Sequence, residues 1–222
     1  MRDIKINNEV VLESLNKFHE FLVEKYRSGA LEKEVPLMAK NHTRDRWLAD
    51  DYLERIISRG RGHNGYPESM HSYTGMSADG HDIPGGYEES ILEYRQKSSE
   101  MNMELMTELS AHRSTLTTIY PPGGWISWHN NANAAGYNII FSWSETGDGW
   151  FDYWDLKEKK RVRVQDVPGW QCKMGYFGSY EQPEKLCYHA ASTDCLRISV
   201  AYVFREAEDI WEQIIEDVEN PL

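Results

Sequence analysis

The sequence predicts an α+β fold, an antiparallel jelly-roll of short strands preceded by helices and closed by one more helix. Three observations predict it. Apolar residues recur with a helical period before residue 114; short β-branched and aromatic runs separated by turn signals follow; and no helical stretch interrupts those runs before about residue 205. A parallel sheet needs crossover helices between its strands, so that alternative is excluded.

From Val10 to Ser28 the residues Val11, Leu12, Leu15, Phe18, Leu22 and Tyr26 recur at steps of three and four, one apolar stripe on a helix that also carries His19. A second helix is expected over 45–58 on Trp47, Leu48, Tyr52, Ile56 and Ile57, ending at Gly60, where a left-handed cap is easy. Residues 59–87 are rich in Gly and Ser, hold no period, and read as a long irregular segment suited to a lid or recognition loop over a barrel mouth. Their histidines, His63, His71 and His81, are spaced by eight and ten, which fits no compact metal motif; they are expected to be solvated loop residues. A third helix, from Glu88 to about His112, uses Ile91, Leu92, Leu105, Met106 and Leu109, with a polar middle at 96–100.

After Ser114 the candidate strands are Leu116–Tyr120, Trp125–Asn131, Tyr137–Trp143, Trp150–Trp154, Arg161–Val164, Cys172–Phe177, Leu186–Ala191 and Leu196–Phe204. Pro-Pro-Gly-Gly, Gly-Asp-Gly and Pro-Gly turns punctuate them. A closing helix over 207–218 offers Ile210, Trp211, Ile214, Ile215 and Val218. The 222 residues are expected to form a single domain: 1–114 a helical extension with the irregular loop 59–87, 115–205 the barrel core, and 206–222 the C-terminal helix.

Composition narrows the function classes. With 40% hydrophobic and 27% charged residues the chain matches soluble globular proteins rather than disordered ones. A formal net charge of -12 disfavours nucleic acid and anionic membranes as partners and leaves a small molecule or peptide. Cys172, Cys187 and Cys195 are odd in number and lack CxxC spacing, so they are expected to be free thiols. With no apolar signal at the N-terminus and no apolar run near the ~20 residues of a membrane span, a cytoplasmic location is expected.

The chemistry concentrates in the second half. On a strand, Trp125, Ser127, His129 and Asn131 share one face, and two donors two positions apart plus a distant histidine can supply the corners of an open facial iron site. The distant histidine is His189. Arg197 follows it by eight residues, with Ser199 on the same strand face. A guanidinium fork beside a hydroxyl suits a ligand carboxylate. If the last two strands form a hairpin, His189 and Arg197 lie opposite each other; if they lie in different sheets, the link is a corner that spacing does not define. The bland alternatives are an ordinary salt bridge for Arg197, with Asp194 as partner, and a core hydrogen bond for His129.

The run Tyr120-Pro-Pro-Gly-Gly-Trp-Ile-Ser-Trp-His129-Asn-Asn131, then Gly147-Asp-Gly149-Trp-Phe151, His189 and Arg197-Ile-Ser199, resembles the prolyl-hydroxylase-type branch of the Fe(II)/2-oxoglutarate-dependent dioxygenases over residues ~115–205. It is also similar to the aspartyl/asparaginyl-hydroxylase-like branch and to oxygenase-like proteins of marine cyanobacterial phages. The resemblance implies a double-stranded β-helix, cupin-like core. It implies His129 and His189 as catalytic iron ligands, Arg197 and Ser199 as residues binding 2-oxoglutarate, and Tyr120 as a further contact to that cosubstrate.

The chain departs from the family pattern at Asn131, which stands at the metal position where an aspartate is expected, whether as a natural replacement or an introduced one. A neutral amide is a weaker ligand for a dication than a carboxylate. Asp148, Asp152 and Asp155 are expected to be turn or surface carboxylates, although a neighbouring strand could supply the missing ligand from among them. The expected activity is hydroxylation of a peptide side chain or small molecule. The rival is a non-catalytic binding or structural module on the same barrel.

Overall fold

The computed structural model of the chain describes residues 1–39, 43–74, 86–131, 135–205 and 207–220. Its centre is a double-stranded β-helix built from β4 (Arg113–Tyr120), β5 (Trp125–His129), β6 (Gly136–Ser144), β7 (Gly149–Asp155), β8 (Lys160–Gln165), β9 (Gly169–Phe177), β10 (His189–Thr193) and β11 (Arg197–Phe204). All eight expected strands are present. Pairing runs β9-β6-β11-β4 in one layer and β5-β10-β7-β8 in the other, every pair antiparallel. Consecutive strands therefore cross between layers, except at the β7–β8 hairpin, which gives the jelly-roll.

The segment before residue 113 is not only helical. Strand β1 (Arg2–Ile4) extends the first layer by pairing with β9, and β2 (Leu37–Ala39) pairs with β3 (Met70–Thr74). Strand β3 falls inside the stretch expected to be irregular and bridges the two layers: Tyr73 and Thr74 pair with β4, Met70 and His71 with β5. The residues of that stretch numbered 75–85, including His81, lie outside the described residues, so the expected lid is described only over 59–74 and 86–87. His63 is not solvated, as its loop spacing suggested, but fully buried. Its Nδ1 accepts the Gly65 N–H at 3.0 Å, and its ring faces Glu68 at 3.7 Å.

Helix α1 (Glu9–Arg27) starts where the Asn8 side chain accepts the Val11 N–H, an N-cap, and ends on basic Lys25 and Arg27, favourable at a helix C-terminus. A short α2 (Leu31–Glu34) follows. The second expected helix is two, α3 (Arg44–Leu48) and α4 (Asp50–Arg59), broken at Ala49 with ψ 152°. The break has a tertiary cause: the Leu48 carbonyl accepts from Trp128 Nε1 and Arg161 Nη2 instead of continuing a helical ladder. Helices α5 (Leu92–Glu108) and α6 (Trp211–Glu219) complete the set. Among the described residues no helix is long and apolar enough to cross a membrane.

The main apolar core lies outside the barrel. Ile139 and Phe141 of β6, Cys172 and Met174 of β9, and Ile198, Val200, Tyr202 and Phe204 of β11 face α1, α5 and α6. Each fully buried side chain of this kind contributes about 1.5–3 kcal/mol, so the helices on this face stabilise the first layer rather than decorate it. The second layer is backed by α3 and α4, whose Trp47, Tyr52, Leu53 and Ile56 pack on Trp125, Trp128 and Ala190. Between the layers lies a smaller apolar group, Met70, Tyr120, Ile126, Ile140, Phe151, Phe177, Ala191 and Ala201. Most of the remaining positions on the inward face of the first layer are polar or lack a side chain: Thr118, Asn138, Ser142, Gln171, Lys173, Gly175, Arg197 and Ser199. The inward face of the first layer is therefore largely polar, and those buried groups need partners inside the fold.

Candidate functional site

His129 and His189 are cross-strand partners on β5 and β10, and their ring centroids are 4.1 Å apart. Strand alternation alone does not put them face to face. Between His189↔His129 and Ala191↔Ile126 the register slips, so that Ser127 and Trp128 together oppose Ala190 alone. This bulge inverts the parity of β5. Trp125 and Trp128 face α3 and α4, while Ile126 faces the lumen with the strand's last residue, His129. The expectation that Trp125, Ser127, His129 and Asn131 share a face is therefore corrected. The strand also ends at His129, and Asn131 lies beyond it, half-buried, with φ 61°, a left-handed conformation that Asn tolerates.

The bulge has its own support. Ser127 N–H donates to the Ser69 carbonyl at 2.9 Å, Ser69 N–H donates to Ser127 Oγ at 3.2 Å, and Asn130 N–H donates to the Gly65 carbonyl. The segment from His63 to Ser69 is thus stitched to the strand end that carries His129, a role that the absence of any period concealed.

Both imidazoles have the same tautomer, fixed by a backbone carbonyl that can only accept: His129 Nδ1–H donates to Ser127 O at 2.8 Å and His189 Nδ1–H to Cys187 O at 3.0 Å. Nε2 is left as the unprotonated nitrogen of each ring. Burial, and for His129 also the neighbouring His189, holds His129 well below the usual imidazole range; burial brings His189 down to about 4. Both rings are neutral near pH 7. Phe151 stacks on His189 at 5.5 Å and Phe177 lies at 4.9 Å, an apolar wall on one side of the pair. Two oriented, neutral imidazoles fit a divalent transition metal, each ring held by a carbonyl behind it as metal-binding histidines commonly are. Among the described residues no group of three or more His, Cys, Asp or Glu completes the set. Asp152 is not on the surface, as expected, but buried and gripped bidentately by Arg163, while Asp155 accepts two N–H groups of its own turn and Asp148 accepts from Thr146.

Arg197 and Ser199 lie on β11, in the layer opposite His189, so the hairpin alternative does not apply. Both point into the lumen and are buried, and Arg197 Nη1 donates to Ser199 Oγ. Nη2 donates to Ser142 Oγ at 3.0 Å, and the guanidinium sits over the Tyr120 ring at 5.6 Å. Tyr120, the cross-strand partner of Arg197, is buried, and that burial pushes its hydroxyl up to about 12. The ionic partner of Arg197 is not Asp194, which pairs with Arg44, but Asp166, whose Oδ2 accepts from Nε at 2.7 Å. Asp166, Lys173 and Ser142 escaped the sequence reading. The one signal available was for Lys173, in Gln171-Cys-Lys173-Met, where polar residues alternate with apolar ones in a strand whose apolar face is covered.

No family model matches the chain, and no curated protein matches it. Among solved structures it is similar to a prolyl-4-hydroxylase from Pseudomonas putida, at 14% identity over 72% of this chain and 89% of that one, with a TM-score of 0.34. A viral collagen prolyl hydroxylase from Paramecium bursaria Chlorella virus-1, in its 2-oxoglutarate complex, is 11% identical over 71% of this chain and 91% of its own, TM-score 0.29. The dioxygenase for auxin oxidation in rice is 14% identical over 70% and 63%, TM-score 0.26. The functional reading rests on the geometry above.

Proposed function

We propose that the chain is an Fe(II)- and 2-oxoglutarate-dependent oxygenase that hydroxylates a peptide side chain or small molecule. The observation that carries this reading is the convergence of His129 and His189, both with Nε2 unprotonated, in a lumen whose other layer presents the Arg197 guanidinium. In it His129 and His189 are the metal ligands, Asn131 occupies or adjoins a third metal position, Arg197 and Ser199 hold the far carboxylate of 2-oxoglutarate, and Tyr120 lines that end. Iron, when bound, supplies dioxygen activation coupled to oxidative decarboxylation of the oxoacid. The protein's own residues orient the two imidazoles, keep them unprotonated and exclude bulk water with Phe151 and Phe177. The net charge of -12 is why a peptide or small molecule is proposed as substrate rather than nucleic acid.

Anaerobic titration with Fe(II) and 2-oxoglutarate tests the reading. A visible metal-to-ligand charge-transfer band, lost in His189→Ala, and succinate release on admitting air are the expected results. No band and no metal-dependent rise in melting temperature would end it, since a ligand bound by the native state alone must stabilise that state.

A second reading, a non-catalytic binding or structural module, is favoured by one observation: Arg197 is already engaged by a carboxylate of the chain. A charge-transfer band without succinate for any tested substrate points to it.

A further inference from the structure

Opposite the paired imidazoles the lumen holds a cluster of charges that the proposed function uses only in part. Arg197, Lys173 and Asp166 are all buried, their side chains no more than 2% exposed. The Asp166 carboxylate divides its oxygens between the two cations: Oδ2 accepts from Arg197 Nε at 2.7 Å, and Oδ1 faces Lys173 Nζ at 3.4 Å. Lys173 also donates to Gln171 Oε1 at 2.9 Å. Among the described residues three of the five guanidinium N–H groups of Arg197 have partners, which leaves one on each terminal nitrogen.

Asp166 belongs to no strand. It lies between β8 and β9, next to exposed Val167, and its own N–H donates to the Gly149 carbonyl at 2.8 Å. Room for its carboxylate is made by the missing side chain of Gly149, where a Cβ would meet Asp166 Oδ2 at 2.6 Å. Two cations sharing one carboxylate leave the cluster at +1 where water is excluded, a condition that favours a further anion. A carboxylate set between a guanidinium and an ammonium is also the way an acidic ligand would be held.

We infer that Arg197 and Lys173 form a two-cation carboxylate site that Asp166 fills in the free protein, and that an acidic ligand enters by replacing Asp166. The inference rests on the reading of Arg197 as a ligand clamp, and adds Lys173 as a ligand-binding residue and Asp166 as an internal competitor. The ligand class is a small mono- or dicarboxylate. A competitor tethered to the chain acts at a high effective concentration, so it weakens ligand binding without touching the metal end.

The test needs no metal. Melting temperature is followed in wild type and Asp166→Ala with sodium acetate or succinate against sodium chloride at matched ionic strength, and 2-oxoglutarate affinity by calorimetry. Asp166→Ala is expected to melt below wild type, to recover several degrees with either carboxylate while wild type hardly responds, and to bind 2-oxoglutarate at least tenfold more tightly. Adding Lys173→Met to Asp166→Ala keeps the cluster at +1 and should cut the recovery. If Asp166→Ala does not fold, Asp166→Asn keeps the shape without the charge, and the same gain in affinity is expected. Equal responses of wild type and variant, or a recovery indifferent to Lys173→Met, would overturn the inference. Acetate rescue without 2-oxoglutarate binding in either protein would remove the cosubstrate from the proposed function but leave this site standing. Tight binding of 2-oxoglutarate that Asp166→Ala does not improve would do the reverse.

Discussion

The rings of His129 and His189 stand 4.1 Å apart because β5 carries one residue more than the strand it pairs with. Without the Ser127–Trp128 bulge, the parity of β5 would turn His129 outward with Trp125, toward α3 and α4. The site therefore depends on an irregularity and on what holds it in place.

Ser127 supplies one of those supports. In Ser127→Ala the buried Ser69 N–H loses its acceptor, at a cost of about 1–3 kcal/mol. The urea midpoint should fall accordingly and metal affinity with it, as His129 becomes less firmly placed. An unchanged midpoint would show that the bulge stands without this bond.

Asn131→Asp should tighten binding of Fe(II), or of Mn(II) as its stable substitute, by tenfold or more in anaerobic calorimetry. Asp tolerates φ 61° about as well as Asn, so the fold should be indifferent to the change. Equal affinities would place residue 131 outside the metal's reach.

Acid should act through His63. Burial lowers its pKa from the ordinary 6.5, against the opposing pull of Glu68. Below pH 6.5 the unfolded chain takes up a proton that the folded ring does not until a lower pH, so the stability His63 contributes is present above 6.5 and is lost as pH falls toward its folded value. Asn can still accept the Gly65 N–H but does not titrate. The stability gap between wild type and His63→Asn, measured by urea unfolding, should be wider at pH 7.5 than at pH 5; a gap independent of pH would contradict a neutral buried ring.

Gly149→Ala places a Cβ 2.6 Å from Asp166 Oδ2 and 3.1 Å from Thr193 Oγ1, an overpacking worth about 1–3 kcal/mol in thermal unfolding. Combined with Asp166→Ala the main clash disappears, so the two effects should fall short of their sum. Strict additivity would mean that the glycine serves some other neighbour.

The barrel was legible because its strands are short, aromatic and β-branched runs bounded by strong turn residues, and neither β4 nor β11 needed tertiary information to be found. The histidine pair and Arg197 were legible as residue types in a recognisable order, and the structure brings the pair together. What misled was local regularity. Alternation assigned Asn131 to the face of His129, but one extra residue changed the parity. A periodic run over 45–58 read as one helix, but Trp128 and Arg161 claim the carbonyl that would have joined its halves. His63 and Met70–Thr74 sit in a stretch with no repeat to read: Met70–Thr74 are ordered by pairing with β4 and β5, more than forty residues away in sequence, and the His63 carbonyl accepts from the distant Tyr180 hydroxyl. Asp166 was invisible for a related reason: a turn aspartate ordinarily faces solvent, and only Gly149 makes space for this one inside.

The first layer turns its hydrocarbon side away from the lumen, onto α1, α5 and α6. A fragment starting at Arg113 would therefore bare a slab of Ile, Phe, Val and Tyr and should precipitate, whereas exchanges among Thr118, Ser142 and Gln171 alter the chamber's chemistry with little hydrophobic area at stake. Cohesion and the chamber's polarity are written on opposite surfaces of one sheet, so the second can vary while the first is kept.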